Sequence, residues 1–442
     1  MFIPYTAKQR DEILKTVGVR SFEELIGDLP QDKLRPSYHL PPSITEMELL
    51  RHMDDLSKRA FLAQSFLGAG AYEHFIPTAV WSLALRGEFA TAYTPYQPEA
   101  SQGTLQSIYE FQTLICELFS MDVSNASLYD GASAAAEACL LAARHTGRTE
   151  ILIPETVHPH TRQVISTYLA HSGAKIVLIP FQQPTLSGEI LKKHLNSDTA
   201  ALLLQTPNFF GCLEDPAPLS KIVHEAGALL ISSTYPAALG LISPPGEYDA
   251  DIAVAEGQSL GVPLSYGGPY LGLFACKKEL MRKMPGRVVG QTVDLDGKRG
   301  FVLTLQAREQ HIRREKAMSN ICTNQALCAL ASTIHMALLG KKGLARLADI
   351  NFQKAHYAAD QLQKNGVPLT FTSPFFNEFA VRFPRSPDPL IDSLGRDRIL
   401  AGFPLGKYYP SLKNDLLVCV TEIKTKQDID DFVTRVTEWA RP

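Results

Sequence analysis

ILIPETVHPHTRQVISTYLAHSGAKIVLIP, residues 151–180, holds one full unit of the pattern that decides the fold. Two short runs, ILIP (151–154) and IVLIP (176–180), flank TRQVISTYLAH, which has helical spacing. The runs are apolar at nearly every position rather than at alternate ones. That pattern belongs to strands covered on both faces, as in a parallel sheet. The alternation continues through AALLLQ (200–205), ALLI (228–231), DIAVA (251–255) and YLGLFA (270–275). PLSKIVHEAG (218–227) and, upstream, AAAEACLLAARH (134–145) supply further helices. An α/β fold with a mostly parallel sheet under helices follows. Such sheets carry their functional groups at the carboxyl ends of the strands.

Outward from this centre the period changes twice. Leu105, Ile108, Phe111, Ile115 and Leu118 recur at helical spacing, which predicts an amphipathic helix. After residue 325 a long helical region, about 324–364, precedes strand-like PLTFTSP, EFAVRFP and DLLVCVTE and a last helix containing Trp439. This reads as a smaller α+β domain. The first sixty residues are polar and helical, with a Ser21–Glu24 capping-box pattern in SFEELIGDLP. Pro30, Pro36, Pro41 and Pro42 then predict an extended linker. The expected division is an arm and linker over 1–60, a large domain over 61–325 and a small domain over 326–442.

The chain has 442 residues, 43 Lys+Arg against 46 Asp+Glu and a net charge of −3. That balance argues against a nucleic-acid or anionic-membrane partner. The start, MFIPYTAKQRDEIL, lacks the basic and apolar regions of an export signal, and seven cysteines are scattered singly. The expectation is a cytoplasmic protein with reduced thiols and no metal site. No P-loop, Gly-x-Ser-x-Gly elbow or dinucleotide fingerprint is present.

Asp130-Gly131-Ala132-Ser133 precedes the Ala-rich helix. Its small residues open a helix N-terminus either to an anion or to simple capping by Asp130 or Ser133. Tyr93, Tyr96, Glu99 and Gln102 crowd the proline-interrupted stretch YTPYQPEASQG (93–103), which suits a binding rim as well as a structural loop. The run Arg308–Lys316 is dense in both signs and reads as a solvated helical face.

YTPYQPEASQG, DGASAAAEA (130–138), QTPNFFGCLED (205–215), PLSYGGPYLG (263–272) and REQHIRREKAMSNICTNQ (308–325) together resemble the P-protein of the glycine cleavage system. The likeness is to the α subunit of its two-subunit form. FLGAGAYEHFIP (66–77) fits too, and Met318 departs from a more usual Thr. The resemblance implies a fold-type-I, pyridoxal-phosphate-dependent transferase-like architecture with a large doubly wound domain. It implies glycine as substrate, with decarboxylation and passage of the aminomethyl group to the lipoyl arm of H-protein.

In that fold the cofactor needs a lysine for its imine linkage and a carboxylate at the ring nitrogen. Gln258 occupies the expected lysine position, and no lysine lies between Lys221 and Lys277. Ser233 stands where the carboxylate is expected. Gly131, Ala132, Ser133, His158 and Asn208 then form a vestigial cofactor loop; His158 and Asn208 also admit packing and turn roles. The expectation is a chain with no catalytic residue of its own. Pyridoxal phosphate would sit on a lysine-bearing β subunit in an α2β2 assembly, with Tyr93, Tyr96, Glu99 and Gln102 lining the rim in trans. The competing reading is a structural or regulatory pseudoenzyme that contributes nothing to the active site.

Overall fold

A computed structural model describes residues 5–30, 40–59 and 63–441. The chain divides into two compact units, Met1–Leu62 and Ala63–Pro442. In the first, helices α1 (Ala7–Val17) and α2 (Glu46–Ser57) each begin with a reciprocal capping box, Thr6 with Gln9 and Thr45 with Glu48. Ser21 caps only a single helical turn, Phe22–Leu25. None of these helices buries a residue. Pro36 lies outside the described residues.

The second unit is built on a seven-stranded sheet. Its strands are β1 (Val123–Ser124), β2 (Glu150–Pro154), β3 (Lys175–Ile179), β4 (Thr199–Thr206), β5 (Leu229–Thr234), β6 (Ile252–Glu256) and β7 (Gly272–Cys276). The spatial order is β3-β2-β4-β5-β6-β7-β1. Strands β3 to β6 pair parallel, and β7 and β1 close one side antiparallel. α3 (Gln102–Phe119) precedes β1, and between the strands run α4 (Gly131–Thr146), α5 (Pro159–Leu169), α6 (Gly188–His194) and α7 (Pro216–Glu225).

Strand alternation sends Ile151, Ile153 and Leu203 to the face covered by α4 and α5. Leu152, Leu202 and Leu204 go to the opposite face, against Leu191 of α6 and Leu219 and Val223 of α7. Farther along that face Phe111, Ile115 and Phe119 of α3 pack on Ala253, Leu273 and Ala275. This two-sided burial is why the runs read as continuous rather than alternating.

A hairpin follows, β8 (Val288–Val293) with β9 (Arg299–Thr304), and then the long helix α8 (Ala326–Lys364), which breaks at Gly340 (φ 60°, ψ −179°). Its first half packs on the large core through Cys328, Ala329 and Met336. Its second half packs on a small antiparallel sheet through Ala355, Ala358 and Leu362. That sheet has the order β10 (Glu378–Arg382), β12 (Asp415–Cys419), β11 (Phe403–Pro404), with α9 (Asp388–Arg396) and α10 (Lys426–Ala440) against it.

Two expectations are corrected. PLTFTSP makes one bridge, Leu369 to Val381, not a strand. Pro368 has no N–H to donate, and Thr370 turns its hydroxyl to Asp415 at 2.7 Å. The run Arg308–Lys316 forms only short turns, with Gln310–Arg313 the one α-helical piece. Leu305 and Arg314 have positive φ, and Arg308 turns inward to donate to the Gly286 carbonyl at 2.6 Å.

Candidate functional site

The carboxyl ends of β2, β4, β5 and β6 converge on a cavity of about 310 Å³. Parallel pairing sets this convergence: Gln205 of β4 lies beside Ser233 of β5, which lies beside Val254 of β6. Six residues singled out in the sequence line the cavity: Asp130, Gly131, Ala132, His158, Ser233 and Gln258. Ser133 and Asn208 do not, and neither do Tyr93, Tyr96, Glu99 and Gln102.

Gln258 is 2% exposed and its amide is fully used. Its Nε2 donates to the carbonyls of Tyr72 and Val262, each at 2.9 Å, and its Oε1 accepts from the Tyr72 amide at 2.8 Å. The residue at the expected lysine position therefore clamps the 66–77 segment over the cavity. Tyr72 donates its hydroxyl to Glu378 at 2.6 Å, and Glu378 also accepts from the Ala69 amide at 2.6 Å. Burial pushes the Glu378 carboxyl up to about 7. His74 completes the seal between Glu422 (2.8 Å) and the Tyr235 hydroxyl.

The N-terminus of α4 is occupied by the chain itself. Asp130 caps the helix by accepting from the Ser133 amide at 2.7 Å and its hydroxyl at 3.1 Å. Glu256, at the end of β6, accepts from the amides of Gly131 (2.9 Å), Gln258 (3.0 Å) and Leu271 (3.0 Å). Burial raises its carboxyl to about 7, against the pull of those amides. The capping alternative is thus the arrangement present, with a second carboxylate added to it.

His158 is neutral and orienting. Its Nδ1 accepts from the His160 amide at 3.1 Å while its Nε2 faces the Ala69 carbonyl at 2.8 Å, and burial lowers its pKa to about 4. Asn208 shapes the turn after β4: Oδ1 accepts from the amides of Phe210 and Cys212, and Nδ2 donates to Pro184 and Glu214. Gln102 pins the hairpin through both backbone groups of Phe301, at 2.8 and 2.9 Å. Tyr93 (82%) and Tyr96 (53%) are exposed, as is Glu99, and Arg287 stacks on the Tyr96 ring at 5.6 Å.

Pyridoxal phosphate does not fit this cavity. Among the described residues no lysine or arginine lines it, Ser233 offers a neutral hydroxyl, and Gln258 cannot form an imine. A phosphate dianion at the start of α4 would meet Asp130 and Glu256 where it needs free amides. Lys277 lies at the opposite end of β6, paired with Asp249 at 2.8 Å and Asp251 at 2.7 Å. Glu256 carries no role in the sequence reading. Its signal was its position, an acid directly after the apolar DIAVA run at a carboxyl strand end.

No group of three potential ligands fit for a metal ion occurs among the described residues, and no helix among them is long and apolar enough to cross a membrane.

The strand order and the cavity at the carboxyl ends define a fold-type-I, pyridoxal-phosphate-dependent transferase-like protein. Solved structures agree on the fold. A sphingosine-1-phosphate lyase from Burkholderia pseudomallei matches with a TM-score of 0.65 at 15% identity, covering 92% of this chain and 94% of the other. An alanine–glyoxylate aminotransferase from Nostoc matches at 0.61 and 15%, covering 94% and 100%.

The model of the glycine cleavage system P-protein family matches residues 1–436, and the chain belongs to that family. It is 51% identical over 442 residues to "Probable glycine dehydrogenase (decarboxylating) subunit 1" of Desulfitobacterium hafniense, covering 99% of each chain. The protein of the same name in Moorella thermoacetica is 50% identical over 434 residues, covering 98% of each. A crystal structure of an inhibitor-bound glycine decarboxylase (P-protein) of the glycine cleavage system superposes with a TM-score of 0.90 at 41% identity, covering 99% of each.

Proposed function

We propose that this chain is the lysine-free α subunit of a two-subunit glycine decarboxylase. It would act with a β subunit that carries pyridoxal phosphate, in an α2β2 assembly in the cytoplasm. Glycine loses CO₂ there, and its aminomethyl group passes to lipoylated H-protein. The observation that carries the reading is Gln258, at the position expected for the reactive lysine, whose amide is committed to Tyr72 and Val262. The numbering of the relatives as subunit 1 supports a second subunit.

In this reading residues 1–60 form an arm, 61–325 a large domain and 326–442 a small one. The chain's own contribution is to orient glycine and exclude water at the partner's site, with Tyr93, Tyr96, Glu99 and Gln102 at the rim. Coexpression with a lysine-bearing β subunit, followed by a glycine–CO₂ exchange assay, tests it. Exchange is expected from the reconstituted pair and from neither chain alone. Exchange by this chain alone would refute the proposal.

A further inference from the structure

A second cavity, of about 500 Å³, opens on the flank of α4, bounded by the end of α5 and residues 317–321. It shares no lining residue with the first. Glu137 lines it, 1% exposed; the Ser319 side chain favours its charged form, while its Oε2 has no hydrogen-bond partner. Arg144 stands exposed at the mouth, seven residues on along the same helix, roughly 10.5 Å along the axis. Arg144 lines the same cavity as Glu137 and feels its charge.

The two charges sense each other but form no ion pair, and Arg144 makes no hydrogen bond with any described residue. Burial raises the Glu137 carboxyl and lowers the Arg144 guanidinium, each against its charged form. A cationic donor would stabilise the charged form of the acid through its free oxygen, and an anion would pair with the guanidinium. A single ion answers only one of them. A molecule carrying an ammonium and a carboxylate on one small frame answers both, and Leu140, Met318 and Ile321 give its side chain an apolar wall.

We propose that this cavity binds a small zwitterionic α-amino acid, with its ammonium on Glu137 and its carboxylate on Arg144. The inference does not depend on the function proposed above. Isothermal titration of the full-length chain with glycine and L-alanine tests it, with methylamine and acetate as single-charge probes. Saturable binding of both amino acids is expected, and binding of each single-charge probe at least about tenfold weaker.

Glu137→Gln and Arg144→Met should each weaken amino-acid binding roughly tenfold or more, while Thr161→Ala, in the first cavity, leaves it intact. Arg144 is at the surface, so its variant reports even where Glu137→Gln perturbs folding. Three results would each overturn the proposal: no binding, methylamine binding as tightly as glycine, or loss of binding in Thr161→Ala but not in Arg144→Met.

Discussion

Gln258 grips both backbone groups of Tyr72, donating to its carbonyl at 2.9 Å and accepting from its amide at 2.8 Å. The residue expected at the position of an imine-forming lysine is a structural clamp. It ties the carboxyl end of β6 to the segment that also reaches Glu378 through Tyr72.

Gln258→Ala removes three buried hydrogen bonds and leaves the Tyr72 amide and carbonyl without their partner. At ~1 kcal/mol net per bond the chain should lose about 3 kcal/mol of stability. Urea unfolding of wild type and variant measures it. A loss under a few tenths of a kcal/mol would show that the clamp is dispensable.

Three buried glutamates, Glu214, Glu256 and Glu378, are raised to about 7 by burial. Each binds its proton more tightly folded than unfolded, where an ordinary carboxyl titrates near 4.5. Their contribution is therefore fully present below about 4.5 and is lost as pH rises to about 7, by up to ~3 kcal/mol per group. Unfolding midpoints across this window should fall with pH, and Glu378→Gln should flatten the slope. A slope unchanged by that variant contradicts the assignment.

A Cβ at Gly131 would stand 2.7 Å from the backbone N of Glu256. Gly131→Ala should therefore push α4 off β6, costing about 1–3 kcal/mol. Thermal unfolding at matched concentration reads this directly, and an unshifted Tm would mean that the two elements are not in contact.

Tyr96→Ala and Glu99→Ala address the rim. If these exposed side chains complete the partner's site, glycine–CO₂ exchange by the reconstituted pair should drop roughly tenfold or more, with assembly intact by gel filtration. Unchanged exchange would favour the scaffold reading instead. Gln102→Ala should act differently, by loosening the Phe301 hairpin.

The strands of the large sheet were legible because burial on both faces writes an apolar run that needs no long-range information. PLTFTSP resembled them, but Pro368 denied it a ladder. The expectation that Gln258 and Ser233 stand at the lysine and carboxylate positions came from single residues in their local sequence. What those positions do instead was not legible there, because it depends on contacts far apart in sequence. Glu256 meets Gly131 across 125 residues, and Gln258 meets Tyr72 across 186. The Glu137–Arg144 pair sat in view in the Ala-rich helix, yet only the packing of residues 317–321 makes a cavity of it.

The central claim is that this chain holds no cofactor site of its own. Adding pyridoxal phosphate to the purified chain, recording the visible spectrum and then reducing with borohydride tests it most directly. The account predicts no Schiff-base band beyond free cofactor and no label retained after reduction. A reducible visible band that disappears when one of the chain's own lysines is substituted would contradict it.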